Sequence, residues 1–171
     1  MQNKNESVTE IPEVSISRAT ILDLETVQRL NAMLCAKENV EYDQTIDADY
    51  PFSKSGEEYF RSRIESPDAL VLIAKEGENS IGYLVGGIAE PEDYRKVMKI
   101  AELENMYIEE DFRGKGIGGK LSKQFEDWCK ERKVQRIRYV ASAQNLEAIK
   151  FYEAHGSKKV NITLEKELEI E

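Results

Sequence analysis

From Val14 the sequence VSISRA alternates apolar and polar positions, the period-two pattern of a strand with one buried face. Leu24, Val27, Leu30 and Leu34 then recur at helical spacing behind Asp23, a good N-cap residue, and predict a helix to about Lys37. ENVEYDQTIDADYPFSKSG follows neither period and is rich in acids and aromatics. Long irregular stretches in compact domains are often functional, so this one is a candidate substrate lid. Ser55 and Glu58 form a capping box for a short helix to about Ile64. ALVLIAKEGENSIGYLVGGIAE reads as two apolar runs around the turn EGENS, a β-hairpin. After a polar connection around Pro91 to Lys96, IAELENMYI is another strand. GGKLSKQFEDWCKERK carries Leu121, Phe125, Trp128 and Cys129 at helical spacing. RIRYVAS reads as a strand, NLEAIKFYEAHG as a helix stopped by Gly156, and VNITLEKELEI as a final alternating strand. Strands come first in a hairpin and later alternate with helices, which predicts an α/β domain on a mixed sheet.

At 171 residues the chain is one ordinary domain, large enough to bury a core. Residues 1–12 read as a flexible, polar N-terminal leader without the apolar segment of a signal peptide, and residues 13–171 as the domain. No stretch approaches membrane-spanning length. The formal net charge of −9 argues against general affinity for nucleic acid or anionic membrane. Cys35 and Cys129 sit in predicted helices with no C-x-x-C, so they read as free thiols in a reducing cytoplasm. With one histidine and no Cys/His cluster, no metal is expected.

The densest chemical signal is FRGKGIGGKLS, residues 112–122, which fits three phosphate-holding patterns. As a nucleotide-triphosphate loop it fails, because Leu121 stands where a hydroxyl should meet magnesium. As a dinucleotide turn it lacks an acid about twenty positions on, where the chain reads YVASAQ. A tight turn would need one glycine; Gly114, Gly116, Gly118 and Gly119 strip side chains from backbone amides at a helix N-terminus, a ready anion site. Arg113, Lys115, Lys120 and Lys123 make a local basic patch around it. R-x-x-G-x-G, from Arg113 to Gly118, is the third pattern, a grip for the pyrophosphate of coenzyme A.

IAELENMYIEEDFRGKGIGGKLSKQFEDWC followed by RYVASAQNLEAIKFYEAHG resembles the acetyl-CoA-binding core of the GNAT family of N-acetyltransferases, over about residues 100 to 157. The resemblance implies an acyl-CoA N-acyltransferase fold whose central strands splay so that pantetheine fills the gap. It implies that the backbone of Met106, Tyr107 and Ile108 pairs with pantetheine. Arg113, Gly114, Lys115, Gly116, Ile117, Gly118 and Gly119 would hold the pyrophosphate. Asn145 and Tyr152 match the family's N-x-x-A-x-x-x-Y, with Asn145 on the cofactor arm. The family usually follows its closing glycine with Phe; here Ser157 follows Gly156, which bears on how the last strand packs.

Acetylating an amine needs a neutral amine, a polarised thioester and a proton for the thiolate. Alkyl amines are protonated at neutral pH, so a carboxylate base is wanted, directly or through water. Glu102 and Glu104 lie two apart on one strand and share a face, where an exposed polar sheet surface is the competing explanation. LENMYIEEDFRGKGIG is similar to spermidine/spermine N-acetyltransferases, which favours Glu104; Glu102 matches the position used by the histone-acetylating branch and is held in reserve. Tyr152 is by spacing a core aromatic; the resemblance makes it the general acid. His155 fits the helix C-terminus better than a catalytic role. Asp43, Asp47, Asp49 and Tyr50, with the net acidity, favour a small cationic amine acceptor such as a polyamine or aminoglycoside. The alternatives are a protein N-terminus or lysine as acceptor, or a catalytically idle acyl-CoA sensor. Family members are often dimers, so a homodimer is the expected assembly.

Overall fold

In the β2–β3 hairpin, Gly77 takes φ 59° and turns the chain between β2 (Ala69–Glu76) and β3 (Asn79–Ala89). Both strands are near-continuous apolar runs because both sheet faces are covered. The computed structural model describes residues 13–97 and 99–169; the leader assigned to residues 1–12 lies outside them. Five strands form one sheet in chain order, with β1 (Val14–Arg18) and β5 (Arg136–Tyr139) at its edges and β4 (Ile100–Ile108) between β3 and β5. All pairings are antiparallel except β4 with β5, so the sheet is mixed, as expected.

One face packs on α3 (Ile117–Glu131): Leu72, Leu84, Ala101 and Leu103 meet Leu121, Phe125 and Trp128. The other packs on α1 (Leu24–Glu41) and α2 (Lys54–Glu65): Val71, Ile73, Tyr83 and Tyr107 meet Val27, Leu30 and Phe60. Strict alternation along β4 would put residues 101, 103, 105 and 107 on one face. Instead Ala101 and Leu103 face α3 while Tyr107 faces α1. A β-bulge reverses the parity: Val85 opposes Asn105 and Gly86 opposes Leu103, leaving Glu104 as the extra residue. The β4–β5 ladder ends at Leu103–Tyr139, whereas β4 runs on to Ile108, so the two strands part beyond that point.

Several sequence expectations are corrected. Asp23 is the N-cap residue of α1, as expected, but a 3-10 turn Ile21–Asp23 precedes the helix and the Asp23 carboxylate accepts from the Thr20 amide at 2.8 Å rather than from an α1 amide. α1 also runs to Glu41, and the cap of α2 is Ser53, which accepts from the Gly56 amide, not Ser55. β5 stops at Tyr139, short of the predicted RIRYVAS. The predicted last strand, VNITLEKELEI, forms no strand over the described residues 160–169. A period of two specifies which side chains share a face; it does not supply a neighbouring strand to bond.

The stretch read as a candidate substrate lid is held down at several points. Pro51 is buried in a 3-10 turn, and its carbonyl accepts from buried Gln28 Nε2 at 2.7 Å. Asn39 Nδ2 donates to the carbonyls of Gln44 and Ile46. Gly56 lets α2 approach this turn: a Cβ there would lie 2.1 Å from the Tyr50 carbonyl oxygen. Backbone cannot swing aside as a side chain can. Gly56→Ala should therefore destabilise by about 1–3 kcal/mol, the usual range for overpacking. For a domain of this size that lowers the thermal midpoint by at least about 2 °C, read by circular dichroism.

Candidate active site

The glycine loop sits where β4 leaves the sheet. Gly114 and Gly116 hold φ of 71° and 79°, backbone that side-chain-bearing residues rarely adopt. Gly116 is the N-cap of α3 and offers no side chain to cap it, so the amides of Ile117, Gly118 and Gly119 have no helical partner. A Cβ at Gly114 or Gly116 would meet nothing within 4 Å; one at Gly118 would make ordinary contact with the Phe151 ring at 3.6 Å and Met106 Cε at 3.9 Å, and one at Gly119 with His155 Nε2 at 3.7 Å. Bare amides, the positive end of a helix dipole and open space above them are what an anionic pyrophosphate requires.

The basic patch is partly committed elsewhere. Arg113 Nε donates to the Ile108 carbonyl at 2.9 Å with its guanidinium over the Tyr107 ring, and Lys115 lies over Phe112. Lys123 is paired with Asp127 at 2.6 Å. Beside the loop, β4 beyond Leu103 has no β5 partner, so β5 does not pair with Met106, Tyr107 or Ile108.

Glu102 and Glu104 share a cleft of ≈ 420 Å³ with Tyr59, Arg63, Ile88 and Asn105. The bulge turns Glu104 toward α2, and α2 grips it. Arg63 Nε donates to Oε2 at 3.0 Å, Arg63 Nη2 lies 2.8 Å from Oε1, and the Tyr59 hydroxyl donates to Oε2. Asn105 Nδ2 donates to the same hydroxyl at 2.9 Å. Asn31 Nδ2 lies 3.3 Å from Asn105 Oδ1 and 2.7 Å from the Tyr83 hydroxyl. This polar chain ties α1, α2, β3 and β4 to one carboxylate. Burial first, then the Glu104 charge, push the Tyr59 phenol far above its ordinary pKa, so Tyr59 stays protonated and donates. Glu102 is gripped by Arg138, which donates to it and to Glu92, each at 3.1 Å.

Tyr152 stacks on Tyr139 with centroids 4.4 Å apart, beside the point where the β4–β5 ladder ends. Burial, then Tyr139 and then Glu38, push its phenol up to about 12. Asn145 caps α4 (Leu146–Ala154) by accepting from the Ala148 amide at 3.0 Å through Oδ1. His155 is the C-cap of α4, with Nδ1 2.7 Å from the Phe151 carbonyl. Two acids of the long stretch serve its turns. Asp43 accepts from the Thr45 amide at 2.9 Å and Asp47 from the Asp49 amide at 2.9 Å.

Tyr59, Arg63 and Arg138 were not singled out from the sequence. Arg63 and Glu104 are 41 positions apart, so only the fold joins them. Among the described residues, no helix is long and apolar enough to cross a membrane.

The model of the acetyltransferase (GNAT) family matches residues 37–156. No curated protein matches the sequence. Among solved structures, a mutant of the BH1408 protein from Bacillus halodurans is 22% identical with a TM-score of 0.78, over 90% of this chain and 99% of that one. The aminoglycoside 6'-N-acetyltransferase AAC(6')-Ih from Acinetobacter baumannii is 18% identical with a TM-score of 0.68, over 92% and 99%. AAC(6')-Iy, in complex with a bisubstrate analogue of CoA and acetylneamine, is 14% identical with a TM-score of 0.69, over 92% and 99%.

Proposed function

This chain belongs to the acetyltransferase (GNAT) family and is an N-acetyltransferase with acetyl-CoA as co-substrate; we propose that its acceptor is a small cationic primary amine that attacks directly. The observation that carries the acceptor reading is the state of Glu104. A carboxylate offers about four lone-pair sites, and Tyr59 and Arg63 fill three of them. The remaining site, on Oε1, faces the cleft and receives an ammonium or the water that takes its proton. Polyamines and aminoglycosides both suit it. The first is supported by the similarity of LENMYIEEDFRGKGIG to spermidine/spermine enzymes, the second by the aminoglycoside acetyltransferases among the structural neighbours.

Bound acetyl-CoA supplies the activated acetyl thioester. The amides of Ile117, Gly118 and Gly119 hold its pyrophosphate, with Arg113, Gly114, Lys115 and Gly116 completing the loop. The backbone of Met106, Tyr107 and Ile108 lines the pantetheine gap, and its N–H groups polarise the thioester carbonyl. Glu104 takes the amine's proton, and Glu102, held by Arg138, is the reserve base. Tyr152 faces the departing sulfur. The resemblance implied a general acid here, but at about 12 the phenol is a weaker acid than an ordinary thiol near 8.5, so Tyr152 steadies the departing thiolate by donating a hydrogen bond, and the thiolate takes its proton from water. A cytoplasmic location belongs to the same reading, supported by free Cys35 and buried, free Cys129.

Two measurements test this. In thermal unfolding, acetyl-CoA at a hundred times its dissociation constant adds about 2.7 kcal/mol, a rise of roughly 5–10 °C, and ATP or NAD adds nothing. A rise with ATP or NAD and none with acetyl-CoA would overturn the cofactor assignment. Thiol release is then followed with polyamines, aminoglycosides and peptides bearing a free N-terminus or lysine. Turnover of the peptides alone would sink the small-amine acceptor.

A further inference from the structure

The chain's single histidine stands between two helix ends. As the C-cap of α4, His155 lies at the negative end of that helix's dipole. Its Nδ1 is 2.7 Å from the Phe151 carbonyl oxygen, and a carbonyl only accepts, so Nδ1 carries a proton and donates it. That bond, and the Phe151 ring with its centroid 4.4 Å away, fix the direction of the imidazole. Nε2 then faces the first turn of α3, where a Cβ on Gly119 would lie 3.7 Å from it. Cα–Cβ bonds tilt toward a helix's N-terminus, so this side of Gly119 is the rim of bare amides. α4 thereby brings one free ring nitrogen to the edge of the phosphate loop.

We propose that His155, protonated, is a further ligand of the cofactor's pyrophosphate and donates to it from Nε2. The proposal rests on the acetyl-CoA assignment and is independent of which amine is acetylated. With Nδ1–H committed to Phe151, the neutral ring presents a lone pair on Nε2, which an anion repels. A second proton turns Nε2 into a charge-assisted donor. In the empty site the α4 C-terminus favours that proton, while the α3 N-terminus, Lys115 and Lys120 oppose it. The neighbouring charges further along are neutralised, Lys123 by Asp127 at 2.6 Å and Lys159 by Glu153 at 3.5 Å. An anion in the loop cancels the opposition and supplies the missing acceptor. Cofactor binding and protonation of His155 therefore favour each other, reciprocally, and binding takes up a proton from water.

The test is isothermal titration calorimetry with dephospho-CoA. This ligand keeps the pyrophosphate and lacks the phosphate monoester of coenzyme A, which itself titrates at about pH 6. The wild-type chain should bind it about five- to tenfold more tightly at about pH 6 than at about pH 8.5, across the range where imidazoles change charge. The heat of binding should also vary with the ionisation enthalpy of the buffer, which reads the proton taken up. His155→Gln cannot titrate, so its affinity should be the same at both pH values and close to the wild-type value at the higher one. His155→Lys keeps its charge throughout and should bind tightly at both. A wild-type affinity that ignores pH would overturn the proposal, and so would a pH dependence that survives in both variants. If the wild-type chain binds at neither pH, the acetyl-CoA assignment fails and this proposal fails with it.

Discussion

Glu104→Gln slows acetyl transfer by about 10²-fold or more while leaving acetyl-CoA binding unchanged, the effect expected when a positioned proton acceptor is lost. The substitution keeps the shape of the side chain and removes its charge and basicity. The loop that holds the cofactor is built from residues 113–119 and uses no atom of Glu104. The KM for acetyl-CoA should therefore stay within the error of the wild-type value. The fold should also survive, because Arg63 is about a third exposed and water can solvate the guanidinium that loses its carboxylate. A glutamine oxygen still accepts hydrogen bonds from Tyr59 and Arg63, so α2 keeps its seat. Steady-state kinetics with amine and acetyl-CoA varied separately reads both parameters. Unchanged turnover would move the base to Glu102, and Glu102→Gln made in the same background would then be the variant that fails.

What the sequence disclosed about this site depended on distance along the chain. The glycine loop was legible because its chemistry is local: positive φ, bare amides and a helix start lie within a few residues of one another. The α3 periodicity was legible for the same reason. The bulge at Glu104 was not, since an extra residue is defined only against the register of β3. The sharing of one face by Glu102 and Glu104 was nonetheless read correctly, because the irregularity falls on Glu104 itself, where strict alternation and the bulge both give the α2 side. The grip of Arg63 and Tyr59 needs α2 laid across β4, a tertiary fact with no local signature. Ser53 and Ser55 offered competing caps, and the close approach of Gly56 to the Tyr50 carbonyl decided between them. The tail misled for a complementary reason. Its alternation is real, but a strand also needs a partner, and the described residues do not provide one.

Phe125→Ala should be the most destabilising single change considered, lowering stability by about 3–5 kcal/mol as for other buried aromatic truncations. Phe125 is fully buried on α3 and stacks on Trp128 with centroids 5.6 Å apart. Its ring fills the space left by Gly86, where a Cβ would come within 2.6 Å of the ring carbons. The glycine and the phenylalanine are thus one packing solution, and it lies opposite the β4 bulge. Removing the ring opens a cavity that Gly86 cannot refill. Even in the Phe125→Ala background, Gly86→Ala would press its methyl to 2.7 Å from the Glu102 carbonyl oxygen, so the second change should not rescue the first. Phe125→Leu, which keeps part of the volume without touching the backbone, should lose less. Calorimetry should show a drop of roughly 6–20 °C for Phe125→Ala, taking about 2–4 °C per kcal/mol for a domain of this size. A loss below about 1 kcal/mol would fall outside the range for a filled core and would mean that the ring is not what holds α3 against the glycine stripe of β3. The same helix presents the cofactor's amides at its other end. Loosening its centre should therefore weaken acetyl-CoA binding as well as the fold, whereas Glu104→Gln touches turnover alone.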